Sequence, residues 1–202
     1  MKIDIEWLFR TIRNDQGYKK TGDCRVKIVH SADSIIIAFP GTGTAKNWAW
    51  NFTALEVPYK DMLAPFRVHA GFLKIWHDAR DYVAAEVAKL QPAKIICTGY
   101  SQGGALALLC HEDMVYRGYN SACISYAAPR VFSAGAPADR FAAVHRIAVR
   151  GDIVPHLPMA IMGYRHYGTA HNIGTRWHGL PTWRKHQAEN YYSNFGRMVL
   201  NV

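Results

Sequence analysis

Ser101 sits in Gly99-Tyr100-Ser101-Gln102-Gly103, a G-x-S-x-G pentapeptide with Ile95-Ile96-Cys97-Thr98 before it and Ala105-Leu106-Ala107-Leu108-Leu109 after it. Where a strand turns abruptly into a helix, glycines occupy the positions at which side chains would collide, and the serine between them is forced outward at the tip of the turn. Its hydroxyl then faces substrate, while the first amides of the following helix point at any negative charge that develops there. The competing role is a helix N-cap, in which the serine oxygen bonds the amides of its own helix. Five residues match by chance often enough; the strand, turn and helix legible around them favour a nucleophile.

A serine hydroxyl attacks poorly until a base removes its proton, and the base must be oriented by an acid. On a turn of this kind the chain order is serine, acid, histidine. Asp152 follows the run Ala143-Val144-His145-Arg146-Ile147-Ala148-Val149, at the carboxyl end of a predicted strand, where parallel sheets place their ligands. Asp139 precedes that strand, and Glu112 and Asp113 lie on the helix after the serine, so position favours Asp152 over a plain surface acid in Arg150-Gly151-Asp152. Five histidines follow it: His156, His166, His171, His178 and His186. Spacing does not choose among them. His186 precedes the last predicted helix in a loop able to fold over the strand ends, and His166 lies in an apparent strand, GYRHYG.

The elements that must position these groups alternate between strand and helix. A helix is expected around Ile3 to Ile12, then strands at Cys24 to His30 and Ser34 to Phe39 joined by the polar turn HSADS. Apolar residues at helical spacing (Phe72, Ile75, Trp76, Ala79, Tyr82, Val83, Val87, Leu90) mark a helix over Phe72 to Leu90 that Pro92 ends. A buried strand at Lys94 to Thr98, a helix from Gln102 to Arg117 closed by Gly118, and a strand at Ala122 to Ala127 follow. A short helix near Ala136 to Ala142, a strand at Val144 to Val149 and a C-terminal helix near Ala188 to Met198 complete the outline. The fold class is α/β, with a largely parallel sheet covered on both faces. Candidate chemistry then belongs to the loops after its strands: FPGTG, GYSQGG, AAPRV and RGDIVPH.

At 202 residues, 50% hydrophobic and 19% charged, with no repeat or linker-like tract, the chain reads as a single domain, residues 1–202. Its longest apolar runs fall short of the roughly 18 residues of a membrane helix, so no transmembrane segment is expected. Asp4, Glu6 and Arg10 interrupt the N-terminus, which lacks a secretion signal; a cytoplasmic location is the expectation. Cys24, Cys97, Cys110 and Cys123 stand singly, as reduced core cysteines do. The net charge of +9 comes from scattered Lys and Arg, a solvated basic surface that could attract anionic lipid; no nucleic-acid partner is expected. The ten histidines match no metal-ligand spacing, and the chemistry above needs neither metal nor cofactor.

Taken in order, FPGTGTAKNWAWNF, VHAGF, GYSQGGALALL, APRV, GDIVPHLP and GYRHYG resemble the fungal-type, or class 3, lipase family of the α/β-hydrolase fold. The likeness runs from about Ile35 to the C-terminal helix. It implies a serine carboxylic ester hydrolase acting on acylglycerols or other lipid esters, with transient contact at a lipid interface. It implies Ser101 as nucleophile, Asp152 as triad acid and His186, just before the final helix, as base; the histidine of a GYRHYG-like segment is not the catalytic one. Tyr191 lies further from His186 than the family's usual spacing. FPGTG resembles the family's oxyanion loop, so Thr42 is expected to supply one amide and Gln102 the second, with Pro40 standing in place of the usual arginine. AKNWAWNFTALEVPY corresponds to the lid, where Trp48, Phe52 and Leu55 recur at helical intervals and Asn51 replaces a common aspartate; filling the core is their other reading. His69 and Phe72 of VHAGF are expected to pack behind the site. Cutinases also use GYSQG, with a histidine closer to the acid, as His166 is here, but they are disulfide-stapled and lack the FPGT and VHAGF pair. A third reading is a non-catalytic, hydrolase-fold lipid-binding protein.

Overall fold

The computed structural model of the protein describes residues 1–31, 33–41, 55–59 and 66–202. The chain opens with β1 (Lys2–Asp4), α1 (Ile5–Arg13), β2 (Lys19–Thr21), β3 (Cys24–Ser31) and β4 (Ser34–Phe39). Next come β5 (Glu56–Pro58), β6 (Arg67–His69), α2 (Ala70–Leu90), β7 (Lys94–Tyr100), α3 (Gln102–Tyr116) and β8 (Ser121–Tyr126). It closes with β9 (Phe132–Ser133), β10 (Val144–Val149), β11 (Tyr164–Arg165), β12 (Thr169–Ile173), α4 (Ala188–Tyr192) and β13 (Val199–Asn201).

Among the described residues, seven strands form the central sheet in the order β12-β10-β8-β7-β4-β3-β2. From β12 to β4 every pairing is parallel, whereas β3 and β2 add antiparallel, β3 through the expected turn that brings Ser31 opposite Ser34. β4 and β8 are buried at every residue and β7 at all but its first, because helices cover both faces; that is why these strands read as continuous apolar runs rather than alternating ones. On one face α2 and α3 contribute Phe72, Trp76, Val83, Ala105 and Leu109 to the larger core. On the other, Phe9 of α1 packs 5.3 Å from the Tyr100 ring, 4.9 Å from Tyr126 and 5.9 Å from Tyr191 of α4.

Local chemistry sets the helix limits. Asp4 Oδ1 accepts the Glu6 and Trp7 amides at 2.8 and 3.0 Å, so α1 begins at Ile5 rather than Ile3, and the residues before it pair with β13 instead. α3 is buried at every residue from Gln102 to Met114, a central helix without an exposed face over that stretch. The expected C-terminal helix is one short turn: after Tyr192 the Ser193 hydroxyl bonds back to Glu189, and Gly196 adopts φ +59°. The segment near Ala136 to Ala142 is a 3₁₀ turn over Ala138–Phe141, and GYRHYG supplies only two strand residues, β11, in a small sheet with β9, β6 and β5. All four cysteines are buried free thiols.

Candidate active site

β7 passes into α3 through Ser101, which sits at φ +57°, ψ −123°. A non-glycine residue there costs about 1–3 kcal/mol and persists only where its surroundings dictate it. They do: a Cβ on Gly99 would lie 2.1 Å from the Gly103 carbonyl oxygen, and one on Gly103 would lie 2.3 Å from that of Phe39. The two glycines let β4, β7 and α3 meet closely enough to expel the serine. Its amide is tied to Tyr126 O at 2.9 Å, and its hydroxyl caps nothing in α3. The N-cap alternative is therefore not what this serine does.

The hydroxyl lies 2.8 Å from His186 Nε2. His186 Nδ1 is 2.9 and 3.0 Å from the two oxygens of Asp152, so Nδ1–H donates to the carboxylate and Nε2 is left to accept the serine proton. Asp152, 1% exposed, also accepts the Val154 amide at 2.9 Å and the Tyr191 hydroxyl at 2.6 Å. It stands in the turn after β10, where Gly151 at φ +87° reverses the chain, and the Thr182 amide bonds Gly151 O at 2.7 Å to bring the His186 turn alongside. The Tyr100 ring stacks on the imidazole, centroids 5.2 Å apart and planes 13° apart, while its hydroxyl donates to the His186 carbonyl. Burial first, and then the Asp152 charge, push the Tyr100 phenol above its ordinary pKa, so it remains a donor. Tyr100 belongs to the pentapeptide, but G-x-S-x-G leaves its position open and says nothing of its contact with the histidine; for Tyr191 the sequence signal is a tyrosine following the histidine.

The structure thus brings Ser101, His186 and Asp152 into one hydrogen-bonded chain. Gln102 lies directly at the start of α3, ahead of the first intrahelical bonds, which Gly104 N–H and Ala105 N–H make to Ser101 O. Its amide is one of those a helix cannot satisfy internally. Thr42, Trp48 and Phe52 lie outside the described residues; Leu55 is 62% exposed just before β5. Among the described residues none of the other candidate histidines, His156, His166, His171 and His178, is bonded to Ser101 or Asp152. His166 Nε2 is 2.7 Å from Pro155 O, and burial followed by the Arg146 charge lowers its pKa to about 3. His171 faces His145 at 3.0 Å, and His178 is exposed. His69 caps α2 through Nδ1 and stacks on Phe72 at 4.3 Å. Among the described residues no group of three or more His, Cys, Asp or Glu is arranged to hold a metal ion.

A mostly parallel sheet flanked by helices, with a serine expelled at a strand-to-helix turn, is the α/β-hydrolase fold. Residues 36–162 match the family model for lipase (class 3). The lipase of Rhizomucor miehei is 35% identical over 153 residues, covering 68% of this chain and 41% of that one. Secreted mono- and diacylglycerol lipase 1 of Fusarium solani is 31% identical over 139 residues, covering 65% and 41%. Among solved structures, a triacylglycerol lipase described as having a serine protease triad at its catalytic centre superposes with a TM-score of 0.70 at 27% identity, over 78% of this chain and 65% of that one. The chain belongs to the class 3 lipase family. It spans about two fifths of the length of these two relatives.

Proposed function

We propose that residues 1–202 form one hydrolase domain that cleaves carboxylic esters, acylglycerols foremost, through an acyl-enzyme on Ser101. The observation that carries this reading is the continuous chain Ser101 Oγ to His186 Nε2 at 2.8 Å and His186 Nδ1 to Asp152 at 2.9 Å. His186 takes the Ser101 proton as Oγ bonds to the ester carbonyl carbon, and the carbonyl oxygen becomes an oxyanion. When that intermediate collapses, the C–O bond to the alcohol breaks and His186 gives the proton to the leaving oxygen. Water then attacks the acyl-enzyme by the same route, releasing the acid and restoring Ser101. Gln102 and Thr42 are the proposed oxyanion donors, each worth roughly 3 kcal/mol. Support for Thr42 comes from its neighbour: Gly41 lies so close to Tyr100, the residue before Ser101, that a Cβ on it would be 2.8 Å from the ring.

The acylglycerol preference rests on the relatives, whose names describe lipases and mono- and diacylglycerol lipases. Trp48, Phe52 and exposed Leu55 are the proposed lipid-contacting segment. The relatives do not support the expected cytoplasmic location: those of Fusarium and Penicillium are named as secreted proteins. Among the described residues no helix is long and apolar enough to cross a membrane. The test is hydrolysis of p-nitrophenyl esters from acetate to palmitate by wild type, Ser101→Ala, His186→Ala and His166→Ala. Ser101→Ala and His186→Ala are expected to lose about four orders of magnitude or more in kcat. His166→Ala should keep most activity. Turnover retained by Ser101→Ala would overturn the reading, and an inactive His166→Ala beside an active His186→Ala would replace it with the cutinase-like one.

A further inference from the structure

A concavity of about 430 Å³ is lined by the Asp152 turn, the end of β10 and the edge strand β12. Its floor follows from strand alternation: Arg146, Ala148 and Arg150 point to one face, with Ala170 beside Arg146 in register, while Ile147 and Val149 point to the opposite core. The two alanines leave the space, and Arg130 and Arg176 complete a set of four guanidiniums around it. Among the described residues none of the four pairs with a carboxylate. The one acid lining the cavity, Asp152, has its oxygens committed to His186, Tyr191 and Val154.

Three of the arginines are instead braced on neutral backbone oxygens. Arg146 Nε donates to Tyr167 O at 2.8 Å, Arg150 Nη1 to Gly174 O at 2.7 Å, and Arg130 Nη1 to Pro158 O at 2.7 Å and to His156 O. Such bonds orient a guanidinium without neutralising it, and each side chain keeps further N–H donors in its planar fork. Burial, and then the charge of Arg130, lower the Arg146 pKa; the two cations are close enough to oppose one another. Uncompensated, pre-oriented guanidiniums are what bidentate oxyanion recognition requires, and the volume falls within the range of roughly 300–1,000 Å³ of small-molecule sites.

We propose that this concavity is a binding site for a phosphate-bearing ligand, with Arg146 and Arg150 as its principal anchors and Arg130 and Arg176 closing on the same group. Its lining shares Asp152 with the ester-cleaving centre but includes neither Ser101 nor His186, and the binding site does not depend on the proposed activity.

The test is titration calorimetry with glycerol 3-phosphate and co-sedimentation with phosphatidylcholine vesicles containing phosphatidic acid. Both use wild type, Arg146→Gln, Arg150→Gln and the exposed control Lys20→Gln at constant ionic strength. Saturable 1:1 binding of glycerol 3-phosphate, weakened at least tenfold by Arg150→Gln and unchanged by Lys20→Gln, supports the site with a soluble ligand. Vesicle binding alone, with the same dependence on Arg150, supports it with a lipid headgroup. Arg150 is exposed, so its variant keeps the test open should Arg146→Gln fail to fold. No binding to either probe, or binding reduced equally by Lys20→Gln, overturns the proposal.

Discussion

Removing one oxygen atom, in Tyr191→Phe, tests whether the surroundings of Asp152 matter as the geometry says. Tyr191 is wholly buried, its hydroxyl donates to Asp152 Oδ2 at 2.6 Å and accepts the Val149 amide at 3.2 Å, and burial followed by the Asp152 charge keeps the phenol protonated. The variant loses a hydrogen bond to a charged group, about 1.5–3 kcal/mol, and leaves the Val149 N–H without that acceptor, about 1 kcal/mol more. Asp152 retains His186 and Val154, so the triad survives, less firmly held. A total of roughly 2–4 kcal/mol, at about 2–4 °C per kcal/mol for a chain of this size, lowers Tm by about 5–15 °C. Only part of that stabilisation is felt by the imidazolium formed during attack, so kcat should fall about tenfold, equivalent to about 1.4 kcal/mol. KM should stay put, since Tyr191 reaches Asp152 and not the serine side of the site. Calorimetric unfolding and p-nitrophenyl ester kinetics read both quantities. An unchanged Tm together with an unchanged kcat would show that the hydroxyl braces nothing and refute this account of Asp152.

Gly103→Ala would put a Cβ 2.3 Å from Phe39 O and 2.4 Å from Pro40 O, backbone atoms with little room to yield. It should cost roughly 1–3 kcal/mol or more by chemical denaturation and lower esterase activity with it, by displacing the turn that carries Ser101. Glu112 is buried 2.9 Å from Arg140 without good hydrogen-bond angles, so burial outweighs the pairing and raises its pKa to about 7. The folded state then holds a proton that the unfolded chain has released, so this group's contribution is complete below about pH 4.5 and lost as pH rises through about 7. Unfolding free energies for wild type and Glu112→Gln between pH 4.5 and 8 should differ in slope, the downward trend with pH being weaker in the variant. Asp4→Ala removes the acceptor of two α1 amides and should cost about 1 kcal/mol, seen as a Tm lower by about 2–4 °C with ester turnover intact.

The strands and helices that build the sheet were legible because each depends on patterns only a few residues long. SIIIAF and KIICT are too apolar for anything but buried strands, FLKIWHDARDYVAAEVAKL repeats at helical spacing, and Gln91 and Pro92 end that helix where the backbone turns left-handed. β12 is not legible in the sequence, because Thr169–Ile173 lies at a sheet edge with a single buried residue and has little apolar signature. The last helix is shorter than periodicity predicts because side chains of Ser193 and Asn194 compete for its backbone, an effect periodicity does not register.

The turn that carries Ser101 is written in five adjacent residues. Gly99, Ser101 and Gly103 constrain one another within five residues, and the order of strand, serine and acid is a property of the chain. Which of five histidines meets Ser101 was a different kind of question. His186 stands 85 residues from Ser101 and 34 from Asp152, and what brings it there is the Thr182 amide on Gly151, the Tyr100 ring beneath the imidazole and the loop that carries both. The bracing of Asp152 by Tyr191 and the gathering around one cavity of four arginines that have no carboxylate partner among the described residues are likewise invisible in one dimension. They arise where strand register and loop closure bring distant residues to the same few ångströms, and only the folded sheet sets those distances.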